Sequence, residues 1–266
     1  MKKFFLALKI TVLVISLSVF AVSSFMLVKI LIGYSKADSF YDDINKGVTA
    51  DSGENVADEG QAPARLVELS RYVSELKQKY PDVVGYVNVP TLGIAYPVVQ
   101  TDNNDYYLTH MIDGSESTSG AIFLDYRIDK DPLKVKNTVL YGHNMNDGSM
   151  FHKVEEFFND RSLFDNATVE YVTENGVYIY EPLALYRCDA YYPFFMHVFS
   201  SDEAYLDFCD MISEKAFYLS DVEYDESSTL ISFATCVNSI TTKNARYIYH
   251  AVLKEAYTDV GLEEVK

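Results

Sequence analysis

A chain of 266 residues with 48% hydrophobic side chains has material for one core of ordinary size plus an anchor and a linker, and is short for two full domains. Its 22 Lys and Arg stand against 39 Asp and Glu. The formal net charge of −17 repels phosphate backbones and excludes nucleic acid as the expected partner.

The N-terminus is the most legible segment. From Ile10 to Val28 no charged residue occurs, close to the ~20 residues that carry a helix across a hydrocarbon core. Lys2, Lys3 and Lys9 precede this run, and Asp38, Asp42 and Asp43 follow it. The positive-inside rule therefore keeps residues 1–9 in the cytoplasm, makes 10–33 a single-pass membrane anchor, and puts the rest outside the cell. Ala21, Val22 and Ser23 would suit a signal-peptide cleavage site. The apolar run exceeds the ~7 to 15 residues of a signal core, however, which favours an uncleaved anchor. Residues 34–64 are acidic and poor in large aliphatics, and are expected to form a flexible stalk.

Beyond the stalk the pattern changes. Leu66, Leu69, Val73, Leu76 and Tyr80 recur at three and four residues, one stripe of an amphipathic helix ended by Pro81. From Gly85 onward short β-branched and aromatic runs predict strands at 85–89, 94–100, 120–124, 137–143, 167–172, 177–190, 228–236 and 246–254. Two helices are expected between them, at 149–158 and at 201–217, the second capped by Ser201 or Asp202. Eight short strands suggest a barrel or a sandwich. The folded domain is expected over 65–257, with an acidic tail at 258–266.

Three cysteines in an exported chain cannot all pair internally. Cys188 falls on a predicted strand and Cys209 in a predicted helix, where burial is favoured over a bridge. Cys236 closes the run Thr229 to Thr235, which places its thiol at a strand end, open to a substrate. Ten residues on, Arg246 begins an alternating run. If the two strands pair antiparallel, Cys236 faces Arg246, whose guanidinium can hold the oxygen that becomes negative when a thiolate attacks a carbonyl. An imidazole to carry protons is available at His143, at the end of the run Thr138 to Leu140, but also at His110, His152, His197 and His250. Residue chemistry alone does not choose among them, and His250, on the same strand face as Arg246, is the strongest rival. The acids at 221–226 lack Ca-loop spacing, and no Cys and His cluster suggests zinc.

The stretch Tyr141-Gly142-His143-Asn144-Met145, with Asp147-Gly148-Ser149-Met150-Phe151, resembles the histidine motif of class B sortases. Ser232-Phe233-Ala234-Thr235-Cys236 resembles that family's Thr-Leu-x-Thr-Cys strand, with Ser and Phe in place of Thr and Leu, and Arg246 falls at the family's arginine position. Further upstream, Tyr96 to Gln100, Asp102 to Leu108 and Gly120 to Arg127 resemble the same pattern.

The resemblance implies a mainly β fold, an eight-stranded sortase-type barrel with an N-terminal helix and two or more peripheral helices. It implies Cys236, His143 and Arg246 as the catalytic set, places Thr235, Asn144 and Ser239 at the substrate, and implies neither metal nor cofactor. Asn238 stands where some class B members carry an acid. The implied reaction cleaves an Asn-Pro-x-Thr-Asn/Gly-like sorting signal of an exported protein after Thr, through a thioacyl enzyme. The acyl group then passes to an amine of the peptidoglycan precursor. Pilus assembly with a pilin lysine as acceptor, and a membrane-anchored binding module without catalysis, are the competing expectations.

Overall fold

The computed structural model describes residues 2–48, 62–237 and 244–258. Nine strands appear among them: β1 (Val83–Val89), β2 (Ile94–Val99), β3 (Ile122–Leu124), β4 (Asn137–Tyr141), β5 (Val169–Thr173), β6 (Gly176–Asp189), β7 (Tyr218–Leu219), β8 (Leu230–Cys236) and β9 (Ala245–Thr258). The sheet runs β5-β1-β2-β3-β4-β8-β9-β6-β7, and β5 pairs back onto β6. That pairing closes an eight-stranded barrel and removes its free edges. Strand β7 is a two-residue appendage on the upper part of β6, too short to leave a periodic signal in sequence.

All eight predicted strands are present, with ends moved by a few residues. The pairs β2–β3 and β4–β8 are parallel and the others antiparallel. The interior is densely aromatic: Tyr86, Tyr171, Tyr180, Tyr186, Phe233 and Tyr249 are all essentially inaccessible.

Helix α2 (Ala64–Lys79) lays the predicted stripe of Leu66, Leu69, Val73 and Leu76 on the barrel wall. Its first turn is pinned by an ion pair from Arg65 to the nearly buried Glu170, which also accepts from Asn88 Nδ2 at 2.7 Å. A short helix α3 (Arg161–Asp165) and the longer α4 (Asp202–Lys215) complete the periphery. Ser201 caps α4 as expected, its hydroxyl accepting from the Ala204 amide at 3.2 Å. The segment expected as a helix over 149–158 is 3-10 helix over Phe151–Phe158. Cys188 and Cys209 are free and buried.

The stalk expectation needs correction within the described residues. Helix α1 (Lys2–Val48) does not stop at the end of the apolar run but continues to Val48, and Ala37, Tyr41 and Ile44 are buried against the domain. The reason is a stripe at 37, 41, 44 and 48 on one face of a helix whose other face carries the acids. Composition hid that period. Residues 49–61 and 259–266 lie outside the described residues. The N-terminal part of α1 is long and apolar enough to cross a membrane, and its large side chains, such as Phe20 and Phe25, stand exposed.

Candidate functional site

Three strand ends converge at one rim of the barrel. Parallel β4 and β8 pair with Tyr141 opposite Ala234, so the residues two further along, His143 and Cys236, leave their strands at the same level. Antiparallel β8 and β9 pair with Cys236 directly opposite Arg246. The β4 exit is tight. Gly142 donates its amide to the Ala234 carbonyl at 3.3 Å, and a Cβ there would lie 2.4 Å from Ile122 and 2.8 Å from the Phe151 ring, which only glycine avoids.

His143 is oriented by the main chain of a remote loop. Its Nε2 lies 2.7 Å from the Leu108 carbonyl. A carbonyl only accepts, so Nε2 carries the proton and Nδ1 of the neutral ring is left with the lone pair. Leu108 ends a 3-10 turn, Tyr106–Leu108, entered through Asn103, whose Oδ1 accepts from the amides of Asp105 and Tyr106 at 2.8 and 2.9 Å. The Tyr107 hydroxyl ties the same turn to Asp82 at 2.9 Å.

The Cys236 backbone is held from the histidine side. Asn144 Nδ2 donates to the Cys236 carbonyl at 2.9 Å and to Glu155 at 3.3 Å, while its Oδ1 accepts from His152 Nδ1 at 2.6 Å. Asn144, expected at the substrate, is thus buried, and its amide fixes the strand end that carries Cys236. Thr235 is also buried, and its hydroxyl has no hydrogen-bond partner among the described residues. Ser239 and Asn238 lie outside the described residues.

The three thiols differ. Burial pushes the Cys188 thiol up to about 12 and the Cys209 thiol up to about 11, which keeps both protonated and inert. Cys236 alone is partly exposed.

The rival imidazole is inside the barrel. His250 is fully buried opposite Ser232, and burial lowers it to about 3. The Ser232 hydroxyl donates to Asn137 Oδ1 at 2.5 Å and so accepts from His250 Nδ1 at 2.6 Å, leaving Nε2 to accept from the Tyr186 hydroxyl at 2.8 Å. Asn137 in turn donates to the carbonyls of Phe194 and Met196 at 3.1 and 2.9 Å. His250 is therefore neutral, fully hydrogen-bonded and away from solvent. His110 stacks on Tyr106, and His197 sits half-buried beside the Phe195 carbonyl.

A cleft of about 370 Å³ opens at this rim, with His143, Cys236 and Arg246 on its wall and Leu108, Phe123 and Phe195 among its apolar lining. Its polar corner is Arg127. The Arg127 side chain donates to the inaccessible Asp125 carboxylate at 2.9 and 2.6 Å, and Tyr141 adds a third bond at 3.0 Å. Burial alone pushes the Asp125 carboxyl up, but the Arg127 and Tyr141 bonds outweigh it and hold the carboxyl below its ordinary value. Among the described residues, no group of three or more His, Cys, Asp or Glu side chains is placed to hold a metal ion.

The model of the sortase domain matches residues 87–254, which span the barrel from β1 to β9 and include His143, Cys236 and Arg246. Sortase B of Listeria monocytogenes is 30% identical over 169 residues, covering 64% of this chain and 68% of that protein. The chain belongs to the sortase B family. Sortase B of Staphylococcus aureus is 25% identical over 167 residues, 63% of this chain and 68% of that protein. Among solved structures, sortase B from Bacillus anthracis in complex with AAEK1 superposes with a TM-score of 0.70 at 27% identity, over 85% of this chain and all of that one. Clostridium perfringens sortase B gives 0.63 at 26% identity, over 68% and 99%. As a sortase B the chain is a cysteine transpeptidase. The residues that sequence reasoning missed are the Leu108 carbonyl and the Asp125–Arg127 pair, which lay unassigned in two stretches that resemble the class B pattern.

Proposed function

We propose that Cys236 is the nucleophile, His143 the proton carrier and Arg246 the oxyanion donor of a transpeptidase. Its substrate is a C-terminal Asn-Pro-x-Thr-Asn/Gly-like signal on an exported protein. The observation that carries this reading is the register: Cys236 opposite Arg246 on one side and level with His143 on the other, all three on one cleft.

The Cys236 thiolate attacks the threonine carbonyl, and the negative oxygen that forms is met by the Arg246 guanidinium. Imidazolium His143, with Nε2–H donated to Leu108, delivers its Nδ1 proton to the departing amine, and the C–N bond breaks to leave a thioester and a free amino terminus. An incoming amine then attacks the thioester while Nδ1 accepts its proton, and the thiolate is released as the new amide forms. Two moderate barriers replace one high one.

The acceptor is an amine of the peptidoglycan precursor, and α1 holds the enzyme in the membrane with its N-terminus cytoplasmic and its barrel outside. The resemblance to class B sortases and the apolar run of α1 support both assignments. The test is cleavage of a fluorogenic Asn-Pro-Gln-Thr-Asn peptide by the full chain and by Cys236→Ala, His143→Ala and Arg246→Ala. Turnover in the wild type and its loss in all three variants supports the reading; undiminished turnover in Cys236→Ala overturns it.

A further inference from the structure

Helix α1 enters the domain through one side chain that touches both supports of His143. Tyr41 is 4% exposed, and its hydroxyl donates to the Gly120 carbonyl at 3.0 Å. Gly120 sits at φ +59°, so close to the Tyr106–Leu108 turn that a Cβ would lie 2.4 Å from the Tyr107 oxygen and 3.0 Å from the Leu108 oxygen. The neighbouring Ala121 amide donates to the Tyr107 carbonyl at 3.0 Å. The Leu108 oxygen is the one that accepts from His143 Nε2.

The second support runs through the Tyr41 ring. It packs edge-to-face on Tyr96, centroids 5.3 Å apart, and the Tyr96 hydroxyl accepts from the Met150 amide at 3.0 Å. The next amide, Phe151, donates to the His143 carbonyl at 3.0 Å. One route therefore fixes the histidine's imidazole and the other its backbone.

Resting on the catalytic role proposed for His143, we propose that Tyr41 is a positioning residue of the active site. The extension of the anchor helix is then a working part of the catalytic centre and not only a tether. Other contacts hold α1 without reaching the histidine: the Tyr72 hydroxyl donates to the Ile44 carbonyl at 2.8 Å, and Asn45 donates to Ala95 at 3.2 Å. They provide the control. Misplacing a reacting group by a fraction of an ångström to an ångström lowers turnover without weakening substrate binding to the same degree.

The experiment uses the full chain in lipid nanodiscs and compares Tyr41→Phe, Tyr41→Ala and Tyr72→Phe. Two quantities are read: kcat and KM on the Asn-Pro-Gln-Thr-Asn peptide, and the 15N resonances of the His143 ring, which report its tautomer without any turnover. Loss of the single Tyr41 hydrogen bond is expected to lower kcat about fivefold with KM within about twofold, and to move the ring away from a pure Nε2–H form. Tyr41→Ala, which also removes the Tyr96 contact, is expected to lower kcat about fiftyfold. Tyr72→Phe keeps the wild-type kcat and the wild-type ring spectrum.

A wild-type kcat and ring spectrum in Tyr41→Phe, or an equal loss in Tyr72→Phe, overturns the proposal. If Tyr41→Ala fails to fold, Tyr41→Phe decides. If the wild-type chain does not turn over the peptide, the reading of its substrate falls, while the His143 spectrum still decides the role of Tyr41.

Discussion

The imidazole of His143 donates from Nε2 to the main-chain carbonyl of Leu108 at 2.7 Å, a bond that joins residues 35 apart in sequence. The acceptor is neutral and fixed, so it selects a tautomer and an orientation without adding a charge. It also suits both protonation states, since Nε2–H is present in the neutral ring and in the imidazolium.

That bond predicts an effect of a residue outside the cleft wall. Asn103→Ala removes the side chain that organises the turn ending at Leu108. Loss of two local hydrogen bonds at an exposed turn costs about 1 kcal/mol of local order, and kcat is expected to fall about fivefold with KM little changed. Steady-state kinetics with a thermal melt checks this; an equal rise in KM at constant kcat would point to substrate contact instead.

Asn144 gives a second prediction. Asn144→Ala frees the Cys236 carbonyl and leaves Glu155 and His152 without their shared partner. Stability should drop by roughly 1–3 kcal/mol and kcat by about tenfold, with thiol labelling of Cys236 by iodoacetamide becoming less uniform in rate. An unchanged kcat alongside the stability loss would separate Asn144 from the chemistry.

The buried His250 predicts the sign of a pH dependence. Burial lowers its folded pKa to about 3, whereas in the unfolded chain it sits at the ordinary value of 6.5. Between those values the unfolded state holds a proton that the native state does not, so stability rises with pH through that window and is lost as pH falls. Its contribution to the slope is about 1.4 kcal/mol per pH unit. Denaturant titrations from pH 4 to 6 should show a shallower slope for His250→Gln than for the wild type, with peptide turnover at pH 7.5 largely kept. Identical slopes would contradict the neutral, buried assignment.

Much of the barrel was legible because its strands are short apolar runs punctuated by Gly, Pro, Asn and Asp, and all eight appear where those runs lie. Cys236 and Arg246 were legible as a facing pair because antiparallel strands joined by a short loop bring residues ten apart together. Residue chemistry alone left His143 and His250 open, since both follow or occupy strand runs; the resemblance to class B sortases chose His143, and the register puts it at the rim and His250 among Tyr186, Ser232 and Phe208. Main-chain partners such as Leu108 leave no side-chain signature at all. Helix α1 past residue 34 was hidden for another reason: Ala37, Tyr41 and Ile44 are too few to register against the surrounding acids, although their spacing is helical.

The most direct test of the account is to trap the acyl enzyme. The full chain is incubated with the Asn-Pro-Gln-Thr-Asn peptide, quenched in acid, digested and mapped by mass spectrometry. The account predicts a hydroxylamine-labile adduct, equal in mass to the peptide acyl group ending at Thr, on Cys236 and absent from Cys236→Ala. An adduct on Cys188 or Cys209, or turnover of the peptide with no adduct on Cys236 at any quench time, would contradict it.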